Sequence, residues 1–297
     1  MVGSNIFNVL FILGVCAAIK PLVVSRQLVR LEVPIMIGLS GLLLILSMDG
    51  RLGWNNGALL IAGIIVYTFW TIRRSRRESI ERACSAPQTD ANHPSGKKAG
   101  FIAGHVLGVG VGLTLLVLGS RWFVAGAVAL AHAMGVSDVV IGLTIVAAGT
   151  SLPEVFTSLM ATLRDERDIA IGNVIGSNIY NILMIIGVSS LIAPNGLAVA
   201  PSLTNFDMEV MLAVAVACLP VFFTGYSIAR WEGFLFLGCY AAYSAYLIMD
   251  ATEHDALPVF SHALAVFVLP LIAVTISVIA FRSMRQLRSR ADRAPEA

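Results

Sequence analysis

Charge is what this chain has least of. Of 297 residues only 38 are Asp, Glu, Lys or Arg, and 57% are hydrophobic, with a mean hydropathy of +0.84. A soluble domain carries roughly 25% charged residues, and half that density leaves too few to cover a core of this size. That excludes a water-soluble enzyme. Cysteine is equally sparse: Cys16, Cys84, Cys218 and Cys239 stand singly, without metal or disulfide spacing, and three of them lie in apolar stretches where a packed thiol is the usual occupant. The first 20 residues hold no basic leader and no small-residue cleavage site, which excludes a signal peptide.

What is present is a series of apolar runs, at about 1–22, 33–48, 57–72, 101–134, 139–163, 169–192, 208–224, 231–249 and 258–281. Each is near the roughly 20 residues that a bilayer crossing requires, so nine spans are expected. The long run 101–134 is read as one tilted helix. Basic residues concentrate on cytoplasmic sides. With nine spans, 18 of the 20 Lys and Arg residues fall on one side and only Arg51 and Arg121 on the other, which puts the C-terminus in the cytoplasm. Residues 74–99, rich in Arg and Ser and then in Pro87, Asn92, Pro94 and Gly96, read as a flexible cytoplasmic linker whose charge serves solvation and topology rather than nucleic-acid binding. The expected organisation is 1–73, the linker 74–99, then 100–250, and finally 251–297 with an additional span and a basic tail.

The sequence repeats itself. GSNIFNVLFILG at 3–14 matches GSNIYNILMIIG at 176–187 in eight of twelve positions. Pro21 with Pro194, Glu32 with Glu209, and Trp54 with Trp231 extend the match across three spans of each copy, given a four-residue loop insertion. Five crossings separate the first span from its partner, so the copies traverse the membrane in opposite senses. Inverted repeats are a transporter arrangement with the substrate site between the copies. Two spans precede the repeated block in the second copy, and Met1 aligns with Val174, so the counterpart of residues 100–173 is expected upstream of this sequence.

The most polar intramembrane stretch is IGLTIVAAGTSLPEVFTS at 141–158. Pro153 cannot donate to the carbonyl of Gly149, so a helix break is expected around Gly149–Leu152, and a broken helix at bilayer depth is tolerated only inside protein or beside a water-filled cavity. Glu154 is the one acidic or basic residue well inside an apolar span, and a carboxylate there is costly enough to be functional by default. Thr150 and Ser151 lie one turn before it. Ser177 and Asn181 share a helix face in one copy, as do Ser4 and Asn8 in the other, while Asn5 and Asn178 are expected to point elsewhere. Taken singly, each of these small polar residues is equally well read as an interhelical hydrogen bonder. Together they are hard oxygen donors around one carboxylate without Cys or His, a set that suits Na⁺, Ca²⁺ or Mg²⁺ and disfavours zinc or copper. Neither Ser151 nor Ser177 has a His or Cys companion in a triad-like pattern, which argues against an intramembrane hydrolase.

GTSLPE at 149–154 followed by GNVIGSNIYN at 172–181 resembles the second alpha-repeat of the cation/calcium exchanger superfamily, specifically the bacterial sodium/calcium antiporters. The resemblance covers almost the whole chain. It implies an all-α integral membrane protein with the inverted-topology repeat exchanger fold, about nine transmembrane helices in this chain, the first two of ten core helices missing and one extra at the C-terminus. Residues 1–73 are then the remaining part of the first repeat and 100–250 the second. It further implies that Glu154 is the principal carboxylate ligand, that Thr150, Ser151, Ser177, Asn181, Ser4 and Asn8 are oxygen ligands, and that Ala147 offers its carbonyl. Two departures stand out: the first GTSxPE-type motif is absent, and Asn181 stands where some relatives have Asp. The implied activity is non-enzymatic exchange of Ca²⁺ for Na⁺ by alternating access in a bacterial inner membrane. The bilayer and the transported ions are the partners, with neither a cofactor nor nucleic acid. H⁺ or K⁺ coupling and an inactive remnant are the alternatives.

Overall fold

The computed structural model describes residues 1–85, 98–135, 141, 145–223, 226–254 and 256–263. The first copy consists of α1 (Val2–Ile19), strand β1 (Leu22–Val23), α2 (Leu28–Leu46), β2 (Arg51–Leu52) and α3 (Trp54–Ser85). A single helix, α4 (Lys98–Ala133), follows. A short helical stretch, Ala147–Gly149, is separated by a turn from α5 (Leu152–Leu163). The second copy continues with α6 (Arg167–Ile192), β3 (Leu197–Ala198), α7 (Leu203–Phe223), β4 (Ser227–Ile228) and α8 (Arg230–Ala251), and α9 (Leu257–Ala263) closes the described chain. Seven described helices are long and apolar enough to cross a membrane. Of the expected ninth span, 258–281, all beyond Ala263 lies outside the described residues, as do 86–97 of the linker. Residues 74–85 differ from expectation in continuing α3 as helix, because no Gly or Pro interrupts the chain before Pro87.

The repeat is visible element by element. The π-helical turn Asn8–Leu13 in α1 is matched by Asn181–Ile186 in α6, and Leu28–Glu32 in α2 by Leu203–Asp207 in α7. This second pair corrects the expected partner of Glu32. Met36 and Met211 occupy equivalent buried places, each accepting a contact from an asparagine of the opposite copy, and that spacing sets Glu32 against Asp207 rather than Glu209. Identity alone misled because the loop between the first two helices changes length between copies.

The two copies exchange partners. β1 pairs antiparallel with β4, Leu22 opposite Ile228, while β2 pairs with β3, Arg51 opposite Ala198. One two-residue ribbon therefore clasps each end of the bundle. The helices cross the same way: α8 packs against α1 and α3 against α6. Glycine makes both crossings close. A Cβ on Gly233 would sit 2.7 Å from the Ala18 nitrogen and 2.8 Å from the Gly14 carbonyl oxygen, and one on Gly57 would sit 2.9 Å from the Gly187 carbonyl. Without a hydrophobic drive between helices in lipid, such backbone approach supplies much of the packing attraction. At the β1–β4 end, Lys20 bonds Asp165 at 2.5 Å across the copies and Arg167 adds a second contact at 2.8 Å. These cations hold the exposed Asp165 carboxyl below the usual carboxylate range.

The core lies where α1, α2, α6 and α7 meet: Ile6, Leu13, Ile171, Ile175, Ile179 and Ile182 are all fully enclosed. The GSNI blocks of the repeat thus occupy the centre of the molecule. In contrast, most of α4 is exposed, as a lipid-facing helix is.

Candidate ion-binding site

The expected break is present. Ala147–Gly149 ends at Thr150, Ser151 is the residue before α5, and Pro153 sits in the first turn of α5, where its missing N–H costs nothing. Unwinding is confined to two residues, and it brings Ser151 into the core. Ser151 is 1% exposed and its Oγ lies 2.5 Å from the Oγ of Ser4 in α1. One hydroxyl pair therefore joins the break of the second copy to the repeated block of the first.

Glu154 stands in the first turn of α5 and is half-buried. Its Oε2 is shielded from solvent and has no hydrogen-bond partner among the described residues. A buried carboxylate oxygen in that condition forgoes the compensation that burial normally requires. The backbone here is braced by Asn173, whose Nδ2 donates to the Glu154 carbonyl at 3.3 Å and to Ser158 Oγ at 2.9 Å. Ser158 in turn donates to the Ala170 carbonyl. This fixes α5 against α6 and so fixes where the Glu154 side chain begins. Sequence reasoning passed over Asn173; its place in GNVIGSN, one turn before the repeated block, is the signal that could have found it.

The remaining residues are placed as follows. Asn8 is fully buried and donates its Nδ2 to Asn178 Oδ1 at 2.9 Å, leaving Asn8 Oδ1 with no partner among the described residues. Asn181 is half-buried and donates to Asn5 Oδ1, also at 2.9 Å. Ser177 is half-buried, one turn before Asn181 on the same helix, and Thr150 is exposed in the break. Ala147 opens the short stretch before the break. Ser4 and Ser151 are thus linked directly, and Asn8 is linked to Asn181 through Asn178 and Asn5.

Asn5 and Asn178 require correction. They do not point away from Asn8 and Asn181; they sit between α1 and α6 and hold them. Residues three apart are neighbours on a helix surface, so Asn5 beside Asn8 and Asn178 beside Asn181 was available from spacing alone. Only the facing of α1 against α6 makes each asparagine reach the other copy.

Two inverted copies of one helical unit, joined through their repeated blocks and carrying a half-buried glutamate beside a helix break, define a multi-pass membrane protein of the inverted-repeat exchanger fold. The family profile described as Sodium/calcium exchanger protein matches residues 1–73 and 104–249, and the chain belongs to that family. It is 35% identical over 221 residues to the putative antiporter CaxA of Alkalimonas amylolytica, covering 73% of this chain and 66% of the relative. It is 32% identical to the inner membrane protein YrbG of Escherichia coli, covering 72% and 65%. The chain therefore spans just under two thirds of the length of these two relatives. Among solved structures it is similar to the sodium-calcium exchanger NCX_Mj soaked with zero Na⁺ and Ca²⁺, with a TM-score of 0.65 and 32% identity over 83% of this chain and 74% of that one.

Proposed function

We propose that this protein exchanges Ca²⁺ for Na⁺ across a bacterial inner membrane by alternating access, with Glu154 as the carboxylate of the ion site. The observation that carries the reading is the shielded, unpartnered Oε2 of Glu154 in the region where the two copies meet. Ca²⁺ takes six to eight oxygens in flexible geometry, and serines, asparagines and backbone carbonyls provide neutral ones. In this reading Ser4, Asn8, Thr150, Ser151, Ser177 and Asn181 and the Ala147 carbonyl complete the shell. Na⁺ competes for the same hard oxygens, so a downhill Na⁺ flux can drive Ca²⁺ uphill through one site without covalent chemistry. Names carried by relatives, a sodium-calcium exchanger among them, fit this assignment.

Uptake of radioactive Ca²⁺ into inside-out vesicles, with the protein produced from its natural gene, tests it. An outward Na⁺ gradient should drive uptake, and collapsing it should stop uptake. Uptake that follows a pH or K⁺ gradient instead would replace Na⁺ as the coupling ion, and no uptake under any gradient would refute exchange. The orientation is tested separately. Compartment-sensitive reporters fused at Ala91 and at Ala297 should both report cytoplasm, because residues near these points carry most of the Arg and Lys. Opposite sides would mean that the span count is wrong.

A further inference from the structure

The four asparagines of the repeated blocks form a chain of donors and acceptors whose direction is set by the backbone. Asn178 Nδ2 donates to the Asn5 carbonyl at 3.3 Å, and Asn5 Nδ2 donates to the Asn178 carbonyl at 3.5 Å. A carbonyl oxygen only accepts, so each of these amides must turn its NH₂ to the opposite helix. The sulfurs of Met36 and Met211, 3.5 Å from the same two nitrogens, are acceptors as well and favour the same orientation. The oxygens of both amides are then left to accept. Asn178 Oδ1 receives Asn8, and Asn5 Oδ1 receives Asn181, each at 2.9 Å. These two bonds turn the NH₂ of Asn8 and of Asn181 toward the opposite helix, which leaves the amide oxygen of each on the other side. For Asn8 that oxygen is buried and unpartnered among the described residues.

We propose that Asn5 and Asn178 are positioning residues that never touch the ion but lock the amide orientation of Asn8 and Asn181, so that both present oxygen and not NH₂ to the cation. The proposal rests on the reading above, in which Asn8 and Asn181 are ligands. A half-turn of either ligand amide would aim a donor at a positive ion and convert an attraction into a repulsion. The lock is also reciprocal across the repeat: the ligand of the first copy is held by the second copy's Asn178, and the ligand of the second by the first copy's Asn5. It further explains why Asn suits position 181 in this chain. An aspartate there would set a carboxylate oxygen against Asn5 Oδ1, and Asn5 could turn to meet it only by releasing the Asn178 carbonyl.

The test uses Asn178→Leu, which keeps the same branched arrangement of heavy atoms without an acceptor. The Ca²⁺ concentration for half-maximal uptake should rise about tenfold, the effect of losing one buried hydrogen bond that orients a ligand, while the maximal rate of folded protein stays within about twofold. Asn8→Ala should raise the same concentration, and adding Asn178→Leu to it should raise it no further, because Asn178 acts through Asn8. A merely structural role would lower the amount of folded protein and leave the half-maximal concentration alone. An unmoved value, or effects that add in the double variant, would overturn the proposal. Should Asn178→Leu fail to accumulate, Asn5→Leu with Asn181→Ala repeats the cycle from the other side, and failure of both leucine variants to fold would assign the network to folding and also overturn it. If the wild type takes up no Ca²⁺, or Glu154→Gln transports normally, the proposed function fails and this lock with it. A working wild type, an inactive Glu154→Gln and an unmoved Asn178→Leu would reject the lock alone.

Discussion

Glu154→Gln should abolish Na⁺-driven Ca²⁺ uptake while leaving the protein folded, inserted and at least as heat-resistant in detergent as the wild type. The two halves of this expectation have one cause. Glutamine fills the space of glutamate and can still sit in the first turn of α5, so the Asn173 brace on the Glu154 carbonyl is untouched. What disappears is the charge. Ca²⁺ surrenders a strongly held hydration shell on entering the site, and neutral oxygens compensate a divalent ion poorly at bilayer depth. Removing one partner of a buried charge pair costs roughly 3–5 kcal/mol, or about two to four orders of magnitude in affinity. In the empty protein the balance is reversed, because Oε2 is shielded and unpartnered among the described residues, so neutralising it relieves an uncompensated group. A site that binds at the expense of stability gains stability when disarmed. Transport assays and a thermal melt of the same preparation check both halves. Normal uptake by Glu154→Gln would move the ion site elsewhere, and a much lower melting temperature would make Glu154 a structural residue.

Gly233→Val should leave little correctly assembled protein, and Gly233→Ala should melt measurably below the wild type. The first atom of any side chain at this position falls within 2.9 Å of three atoms, the Ala18 nitrogen, the Gly14 carbonyl oxygen and the Ala17 Cβ, and two of these are backbone that cannot swing aside. Overpacking of this kind costs typically about 1–3 kcal/mol for a methyl group, and more as branches are added. It works against the gain of about 1 kcal/mol that Ala brings to a helix interior over Gly. Gly57→Ala, at the equivalent crossing of α3 on α6, should behave likewise, since its Cβ would meet the Gly187 carbonyl. Gly238→Ala in the same helix as Gly233 has nothing within 4 Å and should be neutral or mildly stabilising. Equal melting temperatures for Gly233→Ala and Gly238→Ala would show that α1 and α8 separate freely, contrary to the crossing described.

Much of this was legible beforehand for local reasons. Hydropathy marks spans because lipid makes every unsatisfied backbone group costly, and only whole helices avoid that cost. Pro153 announces the break because it lacks a donor, and Glu154 announces a site because a carboxylate among apolar neighbours needs a reason to be there. The repeat is written as identity between 3–14 and 176–187. Where identity fades, matching Glu32 with Glu209 by residue type fails, because the buried places of Met36 and Met211 set Glu32 against Asp207.

The sequence by itself determined the class of molecule, the doubling of its architecture and the carboxylate proposed for the ion site, since each follows from the composition or spacing of a continuous stretch. Only the tertiary structure decided the partners: Ser4 with Ser151, Asn5 with Asn181, Asn8 with Asn178, β1 with β4 and Gly14 with Gly233. Each of these pairs joins one copy to the other across well over a hundred residues of chain. Hydropathy and periodicity report how a residue relates to its own helix. Which face of that helix meets which other helix is settled by the packing of all of them together, and that is where the orientation of the four asparagine amides is fixed.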